Sequence, residues 1–148
     1  MSKIALEDIG AYAVAAFKEG NNCAESILHA FNTSKLTNIP PESIRLASCF
    51  GAGIGKARDF CGALSGSVMV LSYLVGRADC REKTLPGIYK LSNELHQRFS
   101  EHFHSTSCKE LMTYEFGTRE HLKNCLVITK ESAILLAEFL AENQLIEL

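Results

Sequence analysis

Six cysteines stand in this chain of 148 residues, and four of them, Cys23, Cys61, Cys108 and Cys125, share one local setting. Each falls within a residue or two of an expected helix start. Asn22-Cys23-Ala24-Glu25 and Ser107-Cys108-Lys109-Glu110 read as capping boxes, in which the polar side chain caps the helix and the glutamate three residues on reaches back. Asn124 precedes Cys125 in the same way, and Asp59 stands two residues before Cys61. The first turn of a helix has unpaired N–H groups and a partial positive charge, and both favour a thiolate over a thiol. The placement suits sulfur used as an anion.

Such anions have two chemical uses, metal ligation and thiol redox cycling. A domain of this length has a radius of gyration near 15 Å, on the order of a few helix diameters, so four helix starts can converge. Four converging starts would offer about two positive charges. A di-iron cluster on four cysteine thiolates has a formal oxidised charge of about minus two, which matches. The chain has no C-x-x-C pair, so neither a zinc ribbon nor a bacterial ferredoxin signature applies. Free cysteine is also among the most buried residue types, so ordinary core cysteines remain an equal reading of the residues alone.

The elements that must position these sulfurs read as helices throughout. Ile4, Ile9, Tyr12, Ala13, Ala16 and Phe17 form one stripe of a first helix that Gly20 can end. A second helix runs from Cys23 to about Asn32 and is followed by the polar Thr33–Pro40 segment, after which Pro41 opens a third helix reaching Phe50. Gly51-Ala52-Gly53-Ile54-Gly55 excludes regular structure and permits positive φ or close backbone approach to something bound. Cys61–Gly76, CGALSGSVMVLSYLVG, reads as a buried core helix, too short to span a bilayer. Its Gly62-x-x-x-Gly66 spacing puts two glycines on one face, for a neighbouring helix or a ligand. Pro86 opens a fifth helix to about His104 with Leu91, Leu95, Phe99 and Phe103 on one face. A short helix from Cys108 to about Tyr114 follows, then a break at Gly117 and a last helix that starts near Cys125 or somewhat earlier. No alternating strand pattern is present. The expected fold is all-α, a single compact domain over residues 1–148 with about six helices and a glycine-rich loop leading into a central buried helix.

The ordered set Cys23, the glycine-rich approach, Cys61-Gly62-Ala63-Leu64-Ser65-Gly66, Cys108 and Cys125 resembles the C_GCAxxG_C_C family, whose members are described as redox-active. The likeness extends from about Gly20 to Ala137. Gly51, Gly53 and Gly55 match the glycine-rich stretch, while Phe60 stands where a more polar or small residue is expected before the cysteine. The resemblance implies a small helical protein of anaerobe-like metabolism that handles electrons or binds a redox metal centre through the four cysteines. It casts Gly51, Gly53, Gly55, Gly62, Ala63 and Gly66 as the cofactor-facing backbone. The family is also similar to the N-terminal part of split-Soret cytochromes, whose haem attachment needs C-x-x-C-H; that motif is missing here, so no covalent haem is expected.

Other candidates carry blander readings. Cys49, beside Phe50, reads as core, and Cys80, between Arg77 and Arg81, as an incidental exposed thiol. His102, His104 and His121 flank Cys108 or Cys125 and could donate a ligand or proton, but solvated helix-end histidines are the default. Arg58, Lys109, Arg119 and Lys123 crowd the same cysteines in sequence. The glycine run lacks both G-x-G-x-x-G and a following Gly-Lys-Ser/Thr, and Ser65 and Ser67 lack a G-x-S-x-G elbow, so phosphate binding and hydrolysis are not indicated.

Composition narrows the setting. Fifteen basic and seventeen acidic residues nearly balance and there is no basic block, so no nucleic-acid partner follows from charge. MSKIALEDIGAYAVAAFKEG reads as an amphipathic helix rather than a secretory signal, which points to a reducing cytoplasm and away from structural disulfides. Three readings follow: an iron–sulfur or other thiolate-bound metal centre serving electron transfer or redox sensing with an unknown partner protein; a metal-free thiol–disulfide oxidoreductase pairing Cys23 with Cys61 and Cys108 with Cys125; and a non-catalytic helical interaction module with reduced, buried cysteines. Homo-oligomerisation suits the apolar content, 47% over short helices, and no membrane association is expected.

Overall fold

The structure is a computed structural model that describes residues 4–148. The chain forms α1 (Leu6–Lys18), α2 (Cys23–Thr33), α3 (Pro41–Ile44), which runs into a 3-10 segment Arg45–Phe50, α4 (Gly62–Val75), α5 (Ile88–Phe103), α6 (Cys108–Leu111) and α7 (Arg119–Glu142). The fold is all-α, as the periodicity predicts. No helix of the described residues is long and apolar enough to cross a membrane.

The longest helix, α7, extends about 36 Å at 1.5 Å per residue. It packs along α1, while α2 lies against both α1 and α4. Ile9 and Ala13 of α1, Ile27, Leu28 and Phe31 of α2, Val70 and Leu71 of α4, and Leu136, Phe139 and Leu140 of α7 interlock in one core. Ile9 and Ala13 belong to the α1 stripe read from spacing, while Tyr12 sits at its edge, 36% exposed. A second, smaller cluster of Cys61, Ala63, Leu64, Phe99 and Ile128 sits beside it, with Cys23, Phe103 and Leu111 packed on its margin.

The approach of α4 to α2 depends on two glycines. A Cβ at Gly66 would lie 2.7 Å from the Ala24 carbonyl oxygen, and one at Gly62 would lie 2.3 Å from Cys23 Sγ. The Gly62-x-x-x-Gly66 spacing therefore serves helix packing at one end and sulfur contact at the other.

The segment between Phe50 and Cys61 is not merely irregular. Ala52, Gly53, Ile54, Gly55 and Lys56 all have positive φ, between 56° and 70°. They form a left-handed turn closed by hydrogen bonds from Gly55 N to Gly51 O (2.9 Å), Ala57 N to Ile54 O (3.0 Å) and Asp59 N to Gly53 O (3.0 Å). Ala52, Ile54 and Lys56 have side chains, and each pays roughly 1–2 kcal/mol for this conformation relative to glycine. Beyond the turn, residues 58–61 pair with 106–109: Cys61 N donates to Thr106 O (2.8 Å), Cys108 N to Asp59 O (2.6 Å) and Lys109 N to Arg58 O (3.0 Å). A single antiparallel bridge joins Phe60 and Ser107. Phe60 itself is half exposed, its side chain outside the core.

Substituting Gly66 with alanine raises helix propensity by nearly 1 kcal/mol but drives a methyl into the Ala24 backbone, an overpacking cost of about 1–3 kcal/mol. Gly66→Ala is expected to lower stability in urea denaturation by roughly 1 kcal/mol. A more stable variant would mean that α2 and α4 are not in close contact there.

Candidate redox site

Cys23, Cys61, Cys108 and Cys125 line one cavity of about 250 Å³. Its wall is mainly apolar: Phe17, Leu111, Met112, Phe116, Leu122 and Ile128 contribute to it, together with the backbone of Gly51, Ala52 and Gly62. Cys61 and Cys108 are buried, and Cys23 and Cys125 are partly so. All six cysteines are unbonded.

Each sulfur reaches the cavity by a different route. Cys23 is the first residue of α2, fixed by the predicted capping box: Glu25 N donates to Asn22 Oδ1 (2.8 Å) and Asn22 N to Glu25 Oε1 (2.9 Å). That box is tied to the 3-10 segment, because Asn22 Nδ2 donates to Ser48 O (2.9 Å) and Ser48 Oγ to the other Glu25 oxygen (2.9 Å). Cys61 is the residue immediately before α4. Asp59 does not cap that helix; its carbonyl accepts from Cys108 N (2.6 Å), which draws Cys61 and Cys108 side by side.

The other two placements correct the expected capping. Ser107 caps nothing with its side chain. Ser105 Oγ instead accepts from Ser107 N (3.0 Å) and donates to Glu110 (2.6 Å), so no capping box forms. The first amides of α6 are spent on the carbonyls of Asp59 and Arg58, 2.6 and 3.0 Å away. Cys108 is the first residue of its helix as expected, but Cys125 is not at a helix start. α7 begins at Arg119 with Thr118 as its cap, accepting from His121 N (3.2 Å), which leaves Cys125 well inside the helix. Asn124 serves a different purpose: its Nδ2 donates to Leu111 O (2.9 Å) and holds α6 against α7. Three of the four sulfurs therefore stand at helix starts, and at the third, Cys108, the first two amides are already taken.

The electrostatics follow from this. Burial raises the pKa of all four thiols, and that of Cys61 and Cys125 to about 12. At Cys61 burial is reinforced by the neighbouring Cys23, against the weaker pull of the Ala63 and Leu64 N–H groups. At Cys23 the N–H groups of Ala52 and Ala24 pull downward and burial still prevails. Cys108 and Cys125 are raised by burial while the Arg58 charge acts against it. Amide donors and a cation thus surround sulfurs that, without a bound positive centre, remain neutral.

Of the remaining predicted residues, Gly51 and Gly62 line the cavity. Gly53 is buried behind the turn, where a Cβ would meet the backbone of Arg58 and Asp59, and Gly55 stands in the open. Ala63 is wholly buried in the smaller cluster, and Gly66 lies on α2. Cys49 is exposed rather than core, because Ala47 is the inward residue of the 3-10 segment. Cys80 is exposed as predicted; Arg77 donates to its carbonyl (2.8 Å) and Arg81 pairs with Asp79 (2.7 Å), so neither arginine serves its sulfur. His102 and His104 are exposed, whereas His121 lines the cavity, with Nδ1 accepting from Gly117 N (3.0 Å). Lys109, Arg119 and Lys123 are exposed, and only Arg58 turns inward. Ser67 Oγ donates to Ala63 O (2.7 Å), as a helix-interior serine does.

Alkylation under native conditions checks the burial. At pH ~7.5 Cys49 and Cys80 are expected to react as open thiols and Cys61 and Cys125 at least about a hundredfold more slowly, as peptide mass spectrometry would show. Their folded pKa values exceed the ordinary thiol value of 9.0 and reach about 12, so the stability they support is present below pH 9 and lost as the pH climbs toward 12. Equal labelling of all six cysteines would disprove this burial.

No curated protein and no solved structure matches the chain. The sequence profile of a family described as "Putative redox-active protein (C_GCAxxG_C_C)" matches residues 21–139, a span that holds all four cavity cysteines and most of the helices that place them. The chain belongs to the C_GCAxxG_C_C family.

Proposed function

We propose that the protein is a redox protein whose Cys23, Cys61, Cys108 and Cys125 hold an iron–sulfur centre, for electron transfer or redox sensing. The observation that carries this reading is the lining of one cavity by all four sulfurs. The donor set is wholly thiolate in kind, which suits iron–sulfur ligation. Among the described residues no three His, Cys, Asp or Glu side chains are grouped to hold a metal ion. A single zinc-type ion needs every sulfur about 2.3 Å from one point, whereas a cluster of several atoms is held by sulfurs spread more widely.

Bound there, such a centre supplies a site for one-electron exchange. The chain's part is to deprotonate, hold and shield. Deprotonation of these four buried or partly buried thiols is unfavourable until a positive centre replaces the protons, and metal binding to such sites releases protons for this reason. The N–H groups of Ala24 and Ala52 toward Cys23, and of Ala63 and Leu64 toward Cys61, then act on anionic sulfur, which they stabilise far better than a thiol. Phe17, Met112, Phe116 and Ile128 keep water from the sulfurs. A metal-free thiol–disulfide exchange needs a thiolate near neutral pH, and thiols at about 12 are poorly poised for it.

Protein purified without oxygen, or reconstituted with ferrous iron and sulfide, is expected to carry iron and acid-labile sulfide in fixed ratio to the chain and to absorb visible light. Cys61→Ala and Cys23→Ala should lose both properties, while Cys49→Ala and Cys80→Ala keep them. A colourless, iron-free anaerobic preparation of the unmodified chain would overturn the reading.

A further inference from the structure

Among the described residues Arg58 is the one arginine or lysine that burial and contact both direct toward the cysteine cavity, and its surroundings are unusual for an arginine. Its guanidinium donates to the Met112 carbonyl and lies over the Phe116 ring, 5.5 Å from the centroid. Both Met112 and Phe116 belong to the cavity wall. Its Nε is shielded from solvent and has no hydrogen-bond partner. Among the described residues no carboxylate lies within ion-pair distance of it. A cation taken out of water without a counter-anion is costly, and proteins ordinarily pair it.

The backbone at Arg58 is equally unusual. Its φ is +61°, a conformation that glycine adopts freely and arginine does not. Strain of this kind persists where the surrounding structure over-determines it, and it clusters at functional positions. What the fold retains by placing arginine here is the side chain. The groups its charge reaches are Cys108, Cys125 and His121.

We propose that Arg58 is the fixed counter-cation of the cavity, a positioning residue that offsets negative charge on Cys108 and on the thiolate-bound centre, and so raises the centre's reduction potential. This rests on the iron–sulfur reading above. One-electron reduction, with dithionite as donor in a titration, makes and breaks no bond and adds one negative charge to the centre. A cation beside the ligand sulfur stabilises the reduced form more than the oxidised form. Met112 O and Phe116 hold the guanidinium in place, and the unpartnered Nε–H is the donor left over for the anion.

The test compares unmodified protein with Arg58→Gln, which keeps polar reach and removes charge, and Arg58→Lys, which keeps charge. After anaerobic loading with ferrous iron and sulfide, Arg58→Gln is expected to bind the same iron per chain but to titrate at a potential lower by about 59 mV, a tenfold shift in the one-electron equilibrium, with Arg58→Lys recovering most of the difference. Equal potentials in all three loaded proteins would overturn the role of Arg58 and leave the iron–sulfur reading standing. Should the unmodified protein take up no iron, that reading fails, and alkylation of Cys108 in the metal-free protein decides for Arg58. Iodoacetamide labelling of Cys108 slowed at least about threefold in Arg58→Gln, with Arg58→Lys unchanged, upholds the counter-cation; equal labelling removes it. Circular dichroism and urea denaturation of each variant identify any loss caused by misfolding, and a misfolded Arg58→Gln is replaced by Arg58→Gly, which suits the left-handed backbone and is read on the same scale.

Discussion

The cavity exists because position 62 has no side chain. The starts of α2 and α4 meet there so closely that a Cβ on Gly62 would lie 2.3 Å from Cys23 Sγ and 2.9 Å from the Phe50 carbonyl oxygen. Neither neighbour can yield easily: one is a sulfur on a capped helix and the other is backbone. Gly66, one turn further on, keeps the same two helices in register along their length. The pair of glycines fixes the distance between the first two sulfurs, and the short pairing of 58–61 with 106–109 adds the third. The fourth is brought in from the side by α7, which Asn124 ties to α6.

Once the sulfurs are gathered, solvation governs them. Amide donors, helix ends and a guanidinium all favour thiolate, yet exclusion of water favours thiol more strongly, and the second effect wins in the metal-free chain. Such a site is conditional: its amide donors and guanidinium are matched to thiolate and are incompletely used while the sulfurs stay protonated. Part of the cavity belongs to the small cluster beside the main core, where Cys61 packs with Ala63, Leu64, Phe99 and Ile128 and Cys23 lies on the margin.

Local features were legible in the sequence where three or four neighbouring residues decide them. The Asn22–Glu25 box, the stripe of α1, the Gly117 break and the Leu95–Phe99 face are of this type. Ser107 was misread because its helix amides are taken by Asp59 and Arg58, whose proximity is tertiary and leaves no local mark. Asn124 was misread because α7 begins earlier, at a threonine cap directly after Gly117; that signal is present in the sequence, and with it His121 and Cys125 fall one turn apart on the same helical face. The left-handed turn was legible as irregular from its glycines, but nothing local indicates that Ala52, Ile54 and Lys56 share the conformation, since all three residue types avoid it. Met112 and Phe116 reach the cavity from a segment whose composition is unremarkable for a loop.

The four sulfurs enter the chain in the order 23, 61, 108, 125, and the last rides on the C-terminal helix. The first pair of sulfurs is therefore separated in sequence from the helix that closes over them. Without α7 the cavity would have three of its four cysteines and would lack the wall that Leu122 and Ile128 supply. The cavity is thus a long-range construction: its first and last sulfurs stand about a hundred residues apart in the chain, and the wall is whole only where α7 packs against the other helices.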